Sequence, residues 1–246
     1  TEFIVYWILC VCFGGEGGKR MFDTSFFVGL FPIMFRYVDV TLGISLASLV
    51  LALAIAFIIA AAYYLEIPVL KSICHGWVSL FRGTPLLAQL FWICYGLPQI
   101  IIPMQKLSIM TLIILGVAFN ASSYMSETLR GALSSVNKGQ MEACLACGMT
   151  RWQGFCRIVL PQAMRVAVPG LSNNFVDIIK QSSLAFTLGV TEIMAVAKME
   201  GATNLKFLES FTAVMIVYWL IVTFFNYVQK LLEKVLSLSL IHISEP

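Results

Sequence analysis

The chain is expected to be an all-α integral membrane protein with about five transmembrane helices and a short helix-elbow-helix ahead of the fourth. Three observations predict this. Of 246 residues, 59% are hydrophobic and 12% charged, with a mean hydropathy of +0.89, whereas soluble domains carry about 25% charged residues. Residues 41–65, 107–126 and 210–229 contain no charge, and each is as long as the roughly 20 residues that cross a bilayer as a helix. One long polar-rich segment, residues 137–161, NKGQMEACLACGMTRWQGFCRIVLP, interrupts the apolar runs.

Taken in order, residues 1–20 look foreign to this pattern. Residues 3–13 are too short to span, and residues 14–20 read GGEGGKR just before Met21. Purine-only codons can encode that whole string. Residues 1–20 are therefore expected to be a non-native leader, a translated ribosome-binding site, or else an uncleaved signal-like segment. Residues 21–36 hold five phenylalanines and a single acid, Asp23, and suit an external interfacial segment better than a span. The membrane domain is expected over residues 37–237. Residues 238–246, LSLIHISEP, resemble a translated sequencing adapter and are expected to be an adapter-derived tail.

The first span, residues 41–65, would be about 37 Å long as a helix. That exceeds a hydrocarbon core of ~30 Å, so it crosses with some tilt. Thr84 and Pro85 make an N-cap and first helical position for a second span running toward Pro98 and Pro103, with the Trp77 region packed beneath it. Residues 107–126 form the third. In the polar segment, Asn137 caps a short helix with Gln140 placed for a capping box, and Gly148 supplies a left-handed C-cap. Thr150 with Gln153 repeats the capping-box pattern, opening a second helix through Trp152 and Ile158 that Pro161 is expected to stop.

The fourth span, residues 166–191, differs because Asn173, Asn174, Asp177, Lys180, Gln181, Ser182 and Ser183 interrupt its apolar halves. A charge at bilayer depth costs roughly 2.5–3.5 kcal/mol, so such residues face a cavity or a partner. Asp177 and Lys180 lie three apart on one helix face and can neutralise each other. The plainer alternative is a helix end at the interface with Lys180 snorkelling. Residues 210–229 form the fifth span.

Several chemistries find no support. There is no G-x4-G-K-[ST] phosphate loop, no H-E-x-x-H and no Ser/His/Asp set, since His75 and His242 are the two histidines. Cys74, Cys94, Cys144, Cys147 and Cys156 lie in or beside spans. Cys144 and Cys147 have redox spacing but no nearby histidine, so no metal or cofactor is expected. A net charge of +3, spread along the chain, implies no nucleic-acid partner.

Glu142, Ala143, Gly148, Ile158, Leu160 and Pro161 stand at the spacing E-A-A-x3-G-x9-I-x-L-P, with Cys144 in place of the third letter. This resembles the EAA loop of permease subunits of binding-protein-dependent ABC importers. Arg82-Gly83-Thr84-Pro85-Leu86, Glu127-x2-Arg130-Gly131, Gly139-Gln140, Pro161-Gln162 and Lys180-Gln181-Ser182-Ser183-Leu184 are similar to motifs of the polar amino-acid branch: histidine, glutamine, arginine, cystine and glutamate permeases. That branch often has an acid where this chain has Gln181.

The resemblance implies a type I ABC importer permease fold. It further implies that Glu142, Ala143, Gly148, Arg151, Ile158, Leu160 and Pro161 couple the chain to a separate ATP-hydrolysing subunit, and that the chain is not itself an enzyme. A second permease chain, identical or paralogous, an extracytoplasmic binding protein and a polar amino-acid substrate are the other partners implied. Asn173, Asn174, Asp177, Lys180 and Gln181 are the candidate substrate path, with Arg82, Gly83, Thr84, Pro85, Glu127 and Arg130 as family-motif residues.

Placing the elbow in the cytoplasm puts Lys71, Arg82, Arg130, Lys138, Arg151, Arg157, Arg165, Lys230 and Lys234 inside, and Arg36, Lys106, Lys198 and Lys206 outside. The positive-inside rule favours the same arrangement, with the N-terminus outside and the C-terminus inside a bacterial cytoplasmic membrane. Competing readings are a stand-alone secondary transporter or channel using Asp177 and Lys180, and a non-transporting assembly or sensor subunit. Brevity and the lack of an inverted repeat weigh against the transporter.

Overall fold

A computed structural model describes residues 22–241. The leader expected over residues 1–20, and the tail from residue 242 onward, lie outside the described residues. Among the described residues the structure is helical, without strands.

The phenylalanine-rich segment forms α1, Thr24–Phe35. Asp23 caps it, its carboxylate accepting from the Phe26 backbone N–H at 3.0 Å. Leu30 and Met34 are buried against Ile193, Val217 and their neighbours, so this segment is packed into the helical body. Lys206 Nζ lies 2.6 Å from Asp23, and its hydrogen bond to the carboxyl holds Asp23 below the ordinary carboxylate range.

The central pair is α2, Val38–Tyr64, and a later helix, Ile109–Ser135, both long and apolar enough to cross a membrane. They share the most extensive helix contact of the molecule. Ala52, Ala56, Ala60, Ala118 and Ala121 are buried in one core with Ile113, Val117 and Met125. Small side chains let two backbones approach closely, which is the main source of helix association where lipid supplies no hydrophobic drive.

Between that pair the chain makes α3, Pro68–Gly83, and α4, Leu86–Phe91. A π-turn, Trp92–Gly96, then leads into α5, Leu97–Ile100. The long helix Ile109–Ser135 is α6. The expected second span is corrected in two ways. Leu86–Ile100 alone would reach about 22 Å, too short for the core. The chain instead runs along α6 from well before Pro85: Lys71 shares a cavity wall with Arg130, Trp77 Nε1 donates to Ser122 Oγ at 3.1 Å, and a Cβ on Gly116 would meet Leu90 Cδ2 at 2.7 Å. Thr84 does not cap. Its hydroxyl donates back to the Leu80 carbonyl at 2.8 Å, and Pro85 precedes the first helical residue.

After α6 come α7, Lys138–Ala146, and α8, Arg151–Gly154. Pro161 was expected to stop the second elbow helix, but the helix continues. A π-turn, Phe155–Val159, leads into α9, Leu160–Gln181, and a 3₁₀ turn, Ser182–Leu188. The same device occurs twice, because the π-turn Trp92–Gly96 likewise ends two residues before Pro98. A proline removes one donor and crowds the carbonyl four residues back. A widened turn just ahead of it displaces that carbonyl, so the helix kinks without ending.

The helix that holds the fourth span therefore begins earlier than expected, at the elbow. It ends at Gly189, which has a φ of +85°, and α10, Ile193–Asn204, leaves at a bend of 50°. The last helix, α11, Phe207–Ile241, holds the expected fifth span, with Phe207–Leu231 long and apolar enough to cross. Its backbone continues through residues 238–241. Among the described residues, three single helices are long and apolar enough to cross a membrane, or four when the bent pair counts as one.

Candidate functional site

Three features gather the residues singled out in the sequence. The first is the elbow. Asn137 Oδ1 accepts from the Gly139 N–H at 2.8 Å, capping α7, but Gln140 does not complete the expected capping box and binds Asn137 only through its backbone. The second box forms in full. Thr150 Oγ1 accepts from the Gln153 N–H at 3.2 Å, and Gln153 Oε1 from the Thr150 N–H at 2.9 Å.

Between the two helices, Gly148 has a φ of +79°. The Met149 N–H donates to the Cys144 carbonyl and the Gly148 N–H to that of Leu145, each at 3.0 Å. This is the Schellman arrangement, which satisfies the orphan carbonyls of α7 and turns the chain back. Cys144 is buried under Gly154. Phe155 is buried too, in ring contact with Trp152 at 5.7 Å and with Tyr64, the last residue of α2, at 5.2 Å.

Glu142, Ala143, Arg151 and Pro161 are exposed, Ile158 and Leu160 half-buried. Leu145 and Trp152 are exposed beside them, Trp152 at 58%. The elbow thus presents an acid, a base and bulky apolar side chains on a rigid turn. Such a surface suits docking into a partner groove.

The second feature is the turn carrying Arg82, Gly83, Thr84 and Pro85. Arg130 grips Glu127 through Nε and Nη2, the shortest contact 2.7 Å, and Arg82 Nη1 lies 3.8 Å from the same carboxylate. Arg82 also sits 5.5 Å above the Tyr124 ring. Beneath the turn, Gln89 Nε2 donates to the Phe81 and Thr84 carbonyls and to Thr84 Oγ1. Asn120 Nδ2 donates to Gln89 Oε1 at 2.9 Å and to the Phe81 carbonyl at 3.0 Å. These two buried amides fasten the break between α3 and α4 to α6. Neither was singled out from the sequence.

The third feature is the polar stretch of α9. Asn174, Asp177 and Gln181, at positions i, i+3 and i+7, line a cleft with Ala121, Tyr124 and Ile178. Asn174 Nδ2 donates to Thr128 Oγ1 at 3.0 Å, and Gln181 Oε1 is buried without a hydrogen-bond partner. Lys180 bridges to Asp177 at 2.6 Å, both more than half exposed. Asn173 lies off the cleft, its Oδ1 accepting from Gln229 of α11 at 3.4 Å. Three of the five candidates therefore line the cleft, Lys180 joins them only through Asp177, and Tyr124 links the cleft to Arg82.

A further buried acid was not anticipated. Glu192, fully buried, follows the bend at Gly189. Oε1 accepts from the Ala195 N–H at 3.0 Å, and Oε2 accepts from Tyr218 at 2.8 Å and Thr41 at 3.4 Å. One carboxyl thus joins α2, α10 and α11. Its side-chain partners lie 26 and 151 residues away, so the sequence around it does not announce them.

Bundle, broken helices and capped elbow together make an all-α architecture with several helices long and apolar enough to cross a membrane. The chain belongs to the family of binding-protein-dependent transport system inner membrane components, whose model matches residues 24–237. It is 41% identical over 215 residues to "Probable amino-acid permease protein YxeN" of Bacillus subtilis (strain 168), covering 87% of this chain and 96% of that protein. It is 42% identical over 216 residues to "Probable amino-acid ABC transporter permease protein PatM" of Vibrio harveyi, covering 88% and 97%. The fold matches a solved "amino acid ABC transporter with histidines" at a TM-score of 0.77 and 24% identity, over 87% of this chain and 98% of that one.

Proposed function

We propose that the chain is the permease subunit of an ATP-binding-cassette importer that moves a polar amino acid delivered by an extracytoplasmic binding protein. ATP hydrolysis belongs to a separate subunit. The observation that carries this reading is the elbow: a left-handed Gly148 between two capped helices, with Glu142, Arg151, Leu145 and Trp152 exposed around it. The relatives' printed names support the amino-acid class.

In this mechanism ATP binding closes a pair of ATPase subunits and moves the docked elbows as levers. Tyr64 and Phe155 pass that movement to α2, and α9, continuous with the elbow, carries it to the cleft. Alternating access is a two-state equilibrium, so ATP and the loaded binding protein act by favouring one state. Asn174 and Gln181 offer amide donors and acceptors to a zwitterion, with Asp177 and Lys180 as a paired charge at the rim. The cleft faces outward from one chain, and a second permease chain, identical or paralogous, closes the path. The elbow lies in the cytoplasm, the N-terminus outside and the C-terminus inside.

The test is co-purification of the chain with an ATPase subunit, followed by uptake of labelled amino acids into proteoliposomes loaded with ATP. Uptake that needs both ATP and binding protein is expected. Uptake driven by a proton or sodium gradient without ATP would establish a secondary transporter instead.

A further inference from the structure

A second cavity, of about 340 Å³, opens where α2 ends, α3 begins and α6 runs into the elbow. Its size falls within the range of small-ligand sites, which start at about 300 Å³. Three cations stand on its wall, Lys71, Arg130 and Lys138, against one carboxylate, Glu66. Lys71 and Lys138 are exposed and form no ion pair among the described residues. Arg130 is held by Glu127 through Nε and Nη2, which leaves Nη1 directed elsewhere. Excess positive charge facing a preformed cavity calls for an anion.

The rest of the wall says which kind. Tyr63 and Tyr64 close α2, and Ala60 and Leu133 extend the wall along the two spans. Tyrosines at a span end, with lysines beyond and an apolar wall behind, match the order of layers at a membrane surface. Glu66 on the rim holds a left-handed backbone, with a φ of +55°, that a side-chain-bearing residue rarely adopts. Such strain persists where the surrounding structure imposes it, often at binding sites. We propose that this cavity binds the phosphate diester of an anionic phospholipid headgroup at the Tyr63–Tyr64 end of α2. Basic pockets between span ends are suited to such headgroups. Because Lys138 opens α7, the bound lipid also braces the root of the elbow.

The proposal rests on the cytoplasmic-side reading of the elbow only for which leaflet supplies the lipid. It is tested on the permease with its ATPase subunit in nanodiscs of phosphatidylcholine with or without phosphatidylglycerol. Lipid retained after detergent extraction is counted by native mass spectrometry. Wild type should retain phosphatidylglycerol in preference to phosphatidylcholine, Lys71→Arg should keep that preference, and Lys71→Gln should lose about fivefold of it, the effect of one basic residue at an anionic surface. Lys71→Gln with Lys138→Gln should lose it further. Unchanged retention in the double variant would overturn the proposal. So would displacement of the lipid by soluble glycerol 1-phosphate at equal concentration, which would make the cavity a site for a free phosphate. Failure to co-purify the ATPase would count against the proposed function alone, since the lipid count can still be made on the permease.

Discussion

Gly154 lies so close to Cys144 that a Cβ added to the glycine would sit 3.0 Å from the Cys144 Cβ. The two elbow helices touch through these residues, and the contact tolerates almost nothing larger. Cysteine packs as a small hydrophobe, so Cys144→Ala should leave coupling near wild type. Gly154→Val should force α7 and α8 apart and abolish ATP-driven uptake while the chain still inserts, as a membrane-fraction blot and a proteoliposome uptake assay would register. Normal uptake in Gly154→Val would show that the elbow's internal spacing does not matter.

Glu192→Ala should be among the more damaging single changes outside the elbow. It leaves the buried Ala195 N–H and the part-buried Tyr218 hydroxyl without the Glu192 acceptor, at a cost of about 1–3 kcal/mol. Glu192→Gln keeps an acceptor and should cost less. Thermal unfolding of the detergent-solubilised complex measures the order, wild type above glutamine above alanine. An alanine variant that melts with wild type would show that the carboxyl carries no structural share.

Hydropathy made the charge-free spans legible because burial in lipid is a property of each residue in turn. The Gly148 turn and the Thr150–Gln153 box were legible because every partner lies within a few residues. Pro161 misled because proline rules are local, and the π-turn that accommodates it leaves no trace in composition. The packing of α3 along α6 was not legible, since Lys71, His75 and Arg82 depress the hydropathy of that helix. Gln89 and Asn120 are separated by 31 residues, and only the packing of α4 on α6 brings them together.

The cleft on α9 should govern transport without affecting assembly. Asn174→Leu removes an amide from the cleft and its hydrogen bond to Thr128, and Lys180→Met removes the cation beside Asp177. Each should reduce uptake or shift the preferred amino acid in competition assays, with basal ATP hydrolysis intact. Asn173→Leu should have less effect, because that side chain turns to Gln229. Normal uptake in both cleft variants would make the cluster structural.

Orientation can be read with cysteines placed at Lys106 and Lys138 in a cysteine-free background. An impermeant thiol reagent applied to intact cells should label position 106 and spare 138. The opposite pattern would invert the proposed topology.

Docking of the elbow on an ATPase is the central claim, and substrate-stimulated ATP hydrolysis by the assembled complex tests it most directly. Gly148→Val places a β-branched residue at a φ of +79°, at a cost of roughly 1–2 kcal/mol to the turn. Glu142→Lys reverses an exposed charge without altering the fold. Both variants should insert in the membrane and lose stimulation by the substrate-loaded binding protein. Full stimulation in both would contradict the assignment of the elbow as the coupling element.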